Sequence, residues 1–238
     1  MKRIIHRANT GKYPENTLEA LEDAVQADAD AIEIDVRLSS DGVPIVIHDS
    51  RLHKLTGRWD RVEYLTAAEL KTLKVSSKNA EKEGKIPTLA DAIEIINDKK
   101  EIIIDLKPGV TQKIVESVTN DLHRCKPHES IVLSSFDPKI LGGFNKGSHG
   151  FHTAYIFESI YRRFSIARAE TNNGEFQQWH PNFSRLNSRL MSMAKDEKKK
   201  VMTWDVNSQT EMEKCIALGV DGIITDEIGL LNTVLGEK

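Results

Sequence analysis

A chain of 238 residues with 39% hydrophobic side chains holds enough apolar material for one large α/β core or two small ones, and too much to remain disordered. Its 33 basic and 36 acidic side chains leave a net charge of -3, so no chain-wide field favours nucleic acid or an anionic membrane, and a small-molecule partner is expected. Cys125 and Cys215 lie too far apart for a CxxC metal knuckle and are too few for a disulfide framework, so both are expected as reduced thiols.

The chain opens Met1-Lys2-Arg3-Ile4-Ile5 and turns polar at His6, which leaves no room for the apolar segment of a signal peptide. No apolar run approaches the roughly 18 residues of a membrane span. With Met1 as the natural start, a cytoplasmic protein without membrane insertion is expected. Nothing in the pattern sets an oligomeric state.

Short β-branched runs then alternate with amphipathic stretches, the pattern of successive βα units around a parallel sheet. The strand-like runs are Arg3 to His6, Ala31 to Arg37, Val43 to His48, Glu101 to Lys107, Ser130 to Phe136, Phe151 to Phe157, Phe176 to His180, Val201 to Val206 and Gly222 to Thr225. Asn16 is expected to cap a helix whose apolar stripe is Leu18, Leu21, Ala24 and Val25, and further stripes run through Gln112 to Cys125, Arg189 to Lys199 and Gln209 to Leu218. Ser40-Asp41-Gly42 predicts a hairpin between the second and third runs, which removes one of the nine from the parallel set. Eight parallel strands in this length specify a (β/α)8 TIM barrel, read as a single domain over 1–238 with a small polar insertion at about 51–100. An open doubly wound sheet is the rival, but no glycine-rich phosphate loop follows the first strand.

Active sites of such barrels form at the C-terminal ends of the strands. His6, Glu33, Asp35, His48, Asp105, Lys107, His180, Trp204 and Asp226 all fall at or near those ends. Glu33 and Asp35, one residue apart on a strand, share a face at about 6.6 Å along the chain. They are expected to point into the barrel mouth, where two close carboxylates call for a cation. A hard divalent ion, Mg2+ or Ca2+, suits these oxygen donors, with Asp105 as a third ligand. His6 and His48 each end an apolar run beside a charged neighbour. Such a pair can divide the proton work on a phosphodiester, one taking a proton from the nucleophile and one protonating the leaving alkoxide. Arg7 and Lys107 add positive charge where a phosphoryl group would sit, and partnership with the carboxylates is compatible with that role.

At this point the sequence resembles the glycerophosphodiester phosphodiesterases. The resemblance rests on His6-Arg7, Pro14-Glu15-Asn16-Thr17, Glu33-Ile34-Asp35-Val36, Asp41-Gly42, His48-Asp49, Ser135-Phe136, Trp204-Asp205-Val206-Asn207 and Gly219 to Asp226, in order and at matching intervals from His6 to Asp226. It implies a TIM barrel with a small insertion that hydrolyses glycerophosphodiesters to sn-glycerol 3-phosphate and an alcohol, using a divalent metal and two histidines. By the same resemblance His6 and His48 are the acid/base pair, Glu33, Asp35 and Asp105 hold the metal, Arg7 and Lys107 hold the phosphate, and Glu15 and Trp204 shape the glycerol end. Two positions depart from the pattern. Ala8 stands where the family has glycine, which is expected to shift the loop or narrow the pocket. Asp105 stands where it has glutamate, which is expected to draw the ion toward the strand or recruit a water.

Two other readings fit these residues. One is a relative acting on lysophospholipids or another phosphodiester, for which Tyr155-Ile156-Phe157 with Ile160, Tyr161 and Phe164 is the candidate docking segment, otherwise read as a strand passing into a helix. The other is a barrel that binds a phosphorylated ligand without turning it over.

Overall fold

The computed structural model describes residues 1–109, 111–123, 130–146, 151–158 and 175–236 of the chain. β1 (Lys2–Ile5) pairs in parallel with β2 (Ala31–Leu38), and β2 pairs in antiparallel with the short β3 (Pro44–Val46). After the small ribbon of β4 (Lys74–Val75) and β5 (Gly84–Lys85) come β6 (Glu101–Leu106), β7 (Ile131–Ser135), β8 (His152–Phe157), β9 (Gln178–Pro181), β10 (Lys200–Thr203) and β11 (Gly222–Thr225). The parallel order runs β1-β11-β10-β9-β8-β7-β6-β2 and returns to β1, so eight strands close a (β/α)8 barrel with β3 outside the closed ring. The expected hairpin is present: Ser39 N–H donates to the Val43 carbonyl at 3.0 Å, and Gly42 takes the positive φ of 80° that the turn requires.

The helix Leu18–Gln26 begins one residue later than the expected cap. Thr17, not Asn16, accepts from the Ala20 N–H, and Ala20, Leu21, Ala24 and Val25 form the buried face. Asn16 is left-handed, with φ 58°, and its side chain is used elsewhere. The remaining stripes appear as Thr111–Leu122, Ser188–Asp196 and Gln209–Leu218. Residues 51–100 carry three α-helices, His53–Thr56, Ala67–Lys71 and Leu89–Ile96, and an apolar cluster in which Leu52, Val62, Leu70 and Ile86 pack on Ile45 and Ile47. Cys215 is buried and free, while Cys125 lies outside the described residues. Tyr155, Ile156 and Phe157 are buried in β8, and Ile160, Tyr161 and Phe164 lie outside the described residues.

The alternation of side chains along a strand decides what fills the barrel and what lines its mouth. On the inward parity, Ile4, Ala31, Ile103, Val132, Ala154, Met202 and Ile224 form one buried cluster. Packing there is tight: a Cβ on Gly222 would lie 2.6 Å from Met202 Sδ and 3.1 Å from Ile4 Cδ1, so any larger residue forces these side chains to shift. Two residues further along each strand the same parity delivers His6, Glu33, Asp105, Ser134, Ile156, His180 and Trp204 to the C-terminal face. The apolar plug is therefore the floor on which the polar cavity stands.

Candidate active site

A cavity of about 280 Å3 opens at that face. It is lined by His6, Arg7, Glu33, Asp35, His48, Asp105, Lys107 and Trp204, together with Ser134, Phe136, Ile156, Glu158, His180 and Ile224. Of the residues given a site role by the sequence, only Glu15 stays outside it; Asp226, also expected at a strand end, is not among the lining residues. Glu15 accepts from Arg7 Nη1 at 2.9 Å and faces a neighbouring groove that also touches Arg7 and His48.

The three carboxylates each offer an oxygen within 4.8 Å of the others, and all three are buried. Glu33 accepts from the Arg7 backbone N–H at 2.9 Å; burial first, and then the charge of Asp35, push its pKa up to about 8. Burial also opposes the charge of Asp35, but Lys107 and Arg7 outweigh it and hold this carboxyl below its ordinary range. Lys107 Nζ sits between two acids, 2.6 Å from Asp35 Oδ1 and 2.5 Å from Asp105 Oδ2. Asp105 Oδ1 is buried without a partner among the described residues, and burial lifts its carboxyl to about 6. Three acids that resist common ionisation, one with an orphaned oxygen, fit a divalent cation held by oxygen donors.

The two histidines are held in opposite states. His6 Nδ1 lies 3.0 Å from Asp226 Oδ1, and its Nε2 lies 3.5 Å from Asp205 Oδ1. Burial opposes its charge, but Asp226 and Glu33 prevail and raise His6 to about 9. His48 Nδ1 lies 2.8 Å from Asp49 Oδ1. Burial, reinforced by the positive charges of Arg7 and Lys107, lowers its pKa despite Asp35 and Asp49. In the metal-free protein His6 is thus the charged imidazole and His48 the neutral one.

Several residues support the site through contacts that the sequence did not foretell. Asn16 donates through Nδ2 to Asp35 Oδ2 at 2.8 Å and accepts from the Asp35 N–H at 3.2 Å, which fixes that ligand candidate twice. Asp226 is steadied by Asn9 and Asn207, at 3.2 and 2.8 Å. Arg37 Nε donates to the His48 carbonyl at 2.7 Å. Trp204 packs edge-to-face on Phe136, with centroids 5.6 Å apart. Ala8 takes the left-handed conformation that glycine would supply, with φ 55°, and its methyl lies in the buried core, outside the cavity lining. The backbone therefore follows the glycine path, and the pocket is not narrowed by this side chain.

A parallel barrel with two histidines, an arginine and a metal-compatible acidic triad at its C-terminal mouth has the makings of a phosphoric ester hydrolase. Residues 6–230 match the model of the glycerophosphoryl diester phosphodiesterase family, and the chain belongs to that family. A glycerophosphodiester phosphodiesterase from Caldanaerobacter subterraneus is 30% identical over 94% of this chain and 93% of its own. A phosphodiesterase from Oleispira antarctica, solved in complex with the product sn-glycerol-3-phosphate, superposes with a TM-score of 0.90 at 26% identity, covering 100% of this chain and 97% of that one. The glycerophosphodiester phosphodiesterase from Thermotoga maritima gives a TM-score of 0.80 at 27% identity, covering 98% of both chains. The protein is an enzyme of the phosphoric diester hydrolase class.

Proposed function

We propose that this chain hydrolyses glycerophosphodiesters to sn-glycerol 3-phosphate and an alcohol in a metal-dependent reaction with two-histidine acid/base catalysis. The observation that carries the reading is the placement of two histidines beside a metal-compatible triad in one cavity. Glu33, Asp35 and Asp105 would hold a Mg2+ or Ca2+ ion, which supplies charge to neutralise the phosphoryl oxygens. Arg7 and Lys107 orient the phosphate, each already anchored by carboxylates, so neither swings freely. His48, neutral, takes the proton from the attacking water, whose oxygen bonds to phosphorus as the bond to the leaving alkoxide breaks. His6, protonated and backed by Asp226, gives a proton to the leaving alkoxide, the division that separated pKa values support. Trp204 presents its ring to the glycerol, and Glu15 acts by fixing Arg7.

Glycerol 3-phosphate bound to the Oleispira relative favours the same product here. Among the described residues no helix is long and apolar enough to cross a membrane. Phosphorus NMR of the protein with sn-glycero-3-phosphoethanolamine tests the reading. The diester resonance is expected to give way to that of glycerol 3-phosphate. Release of phosphoethanolamine, or an unchanged diester, would reject it.

A further inference from the structure

A second cavity, of about 370 Å3, lies beside the catalytic one, between the β2–β3 hairpin, the segment after β6 and the start of the helix Thr111–Leu122. Lys107 lines both cavities. Arg37, in the wall of the second, donates through Nε to the carbonyl of His48, which lines the first.

The charges of this second lining do not balance. Arg37, Arg61, Lys107 and Lys113 are set against one acid, Glu63. Lys107 is compensated by Asp35 and Asp105, and Arg61 is paired with Glu63. Arg37 and Lys113 are left over, since neither forms a salt bridge among the described residues. Arg37 is half-buried, and its bond to His48 is the only hydrogen bond its side chain makes there, so both Nη groups keep their protons for another acceptor. The hydroxyls of Ser40 and Ser50, also in the lining, have no partner among the described residues either. Lys113 stands in the first turn of its helix, the end whose dipole favours an anion. An arginine fork, a lysine and free hydroxyls together suit a tetrahedral oxyanion, the fork taking two oxygens and the lysine acting as a point charge. No aromatic side chain lines the cavity, so a nucleobase would find nothing to stack on. Two uncompensated positive charges match the roughly −1.5 to −2 of a phosphate monoester.

We propose that this second cavity binds a phosphate group other than the one being hydrolysed, held by Arg37 and Lys113 and either carried on the leaving alcohol of the substrate or free in solution. The shared Lys107 places the two cavities side by side, so one molecule with two phosphates can reach both. The substrate-borne case rests on the proposed function, whereas binding of free phosphate does not.

The test has two arms. In the first, inorganic phosphate is titrated calorimetrically into the full chain in the presence of chelator. Lys113→Glu is expected to weaken binding about tenfold, the worth of one hydrogen bond to a charged group. Phosphate entering the catalytic cavity is common to parent and variant, so the difference reports the second cavity. Arg37→Gln is expected to weaken it by a similar factor, and exposed Lys113 carries the test if Arg37→Gln does not fold. In the second arm, kcat/KM is measured with metal for sn-glycero-3-phosphoinositol and for its inositol 4-phosphate, which differ only in one phosphate on the leaving alcohol. A roughly tenfold fall for the 4-phosphate alone in Lys113→Glu assigns the site to the leaving alcohol. Weaker phosphate binding with the ratio of the two kcat/KM values unchanged assigns it to free phosphate. Unchanged phosphate binding together with an unchanged ratio overturns the proposal. A parent protein inactive on both diesters contradicts the proposed function instead, and the phosphate titration still decides the site.

Discussion

Replacing Asp105 by asparagine is expected to move stability and metal affinity in opposite directions. In the protein without metal one Asp105 oxygen meets Lys107 at 2.5 Å, the other has no partner among the described residues, and burial raises the pKa from 3.8 to about 6. A carboxyl whose folded-state pKa lies above its unfolded value is a cost to folding. That cost is absent below pH 3.8, grows as pH rises, and is complete above about pH 6. At about 1.4 kcal/mol per pH unit it comes to about 3 kcal/mol. Asparagine keeps the shape and stays neutral, and Lys107 retains Asp35 at 2.6 Å. Asp105→Asn is therefore expected to stabilise the chelated protein by about 3 kcal/mol at pH 8 and by little at pH 4, read from denaturant unfolding. Metal titrated into the same variant is expected to bind at least tenfold more weakly, a loss of about 1.4 kcal/mol, whereas Asp105→Glu keeps the ligand. If Asp105→Asn is less stable than the parent at pH 8 and binds metal equally well, the electrostatic account and the ligand assignment both fail.

His6→Ala and His48→Ala are each expected to reduce kcat by about a hundredfold or more with the circular dichroism spectrum unchanged, and near-parental turnover in either variant removes that histidine from the mechanism. Because the Glu33 carboxyl is lifted to about 8, it holds a proton at pH 7 that a metal must displace. Metal affinity should therefore rise with pH and level off above about pH 8, with proton release visible in calorimetry across buffers of different ionisation enthalpy; a flat profile from pH 6 to 9 argues against Glu33 as a ligand. Ala8→Gly relieves a left-handed alanine, worth about 1–2 kcal/mol, but removes a buried methyl worth about 0.8 kcal/mol. Its effect on unfolding free energy is expected to stay within about 1 kcal/mol, and a larger loss would show that the methyl has a packing role beyond its area.

The barrel was legible because period-two alternation and strand count are properties of the sequence itself, and the same parity that buries Ile103 points Asp105 and Lys107 at the mouth. Glu33 and Asp35 were legible for the same reason, their spacing fixing a shared face. Asn16 was read as a helix cap because Asn before an amphipathic run ordinarily caps; its left-handed φ of 58° and its two bonds to Asp35, 19 residues away, carry no local signal. Asp226 and His6 are 220 residues apart, and their pairing follows only from the closure of β11 against β1. A family signal was present in Gly219 to Asp226, but it names a match and not a contact. Ser134 gave the least warning, since a serine in an apolar run is an ordinary core residue until barrel closure turns it inward, whereas His180 was already expected at a strand end. The role of Ala8 turned on a backbone angle, which composition cannot supply.

The central claim is metal-dependent release of glycerol 3-phosphate, and the most direct test is the initial rate of that release from a glycerophosphodiester in an enzyme-coupled assay, before and after chelation. The rate is expected to vanish with EDTA and to return on addition of excess Mg2+ or Ca2+. An undiminished rate in chelator would contradict the account.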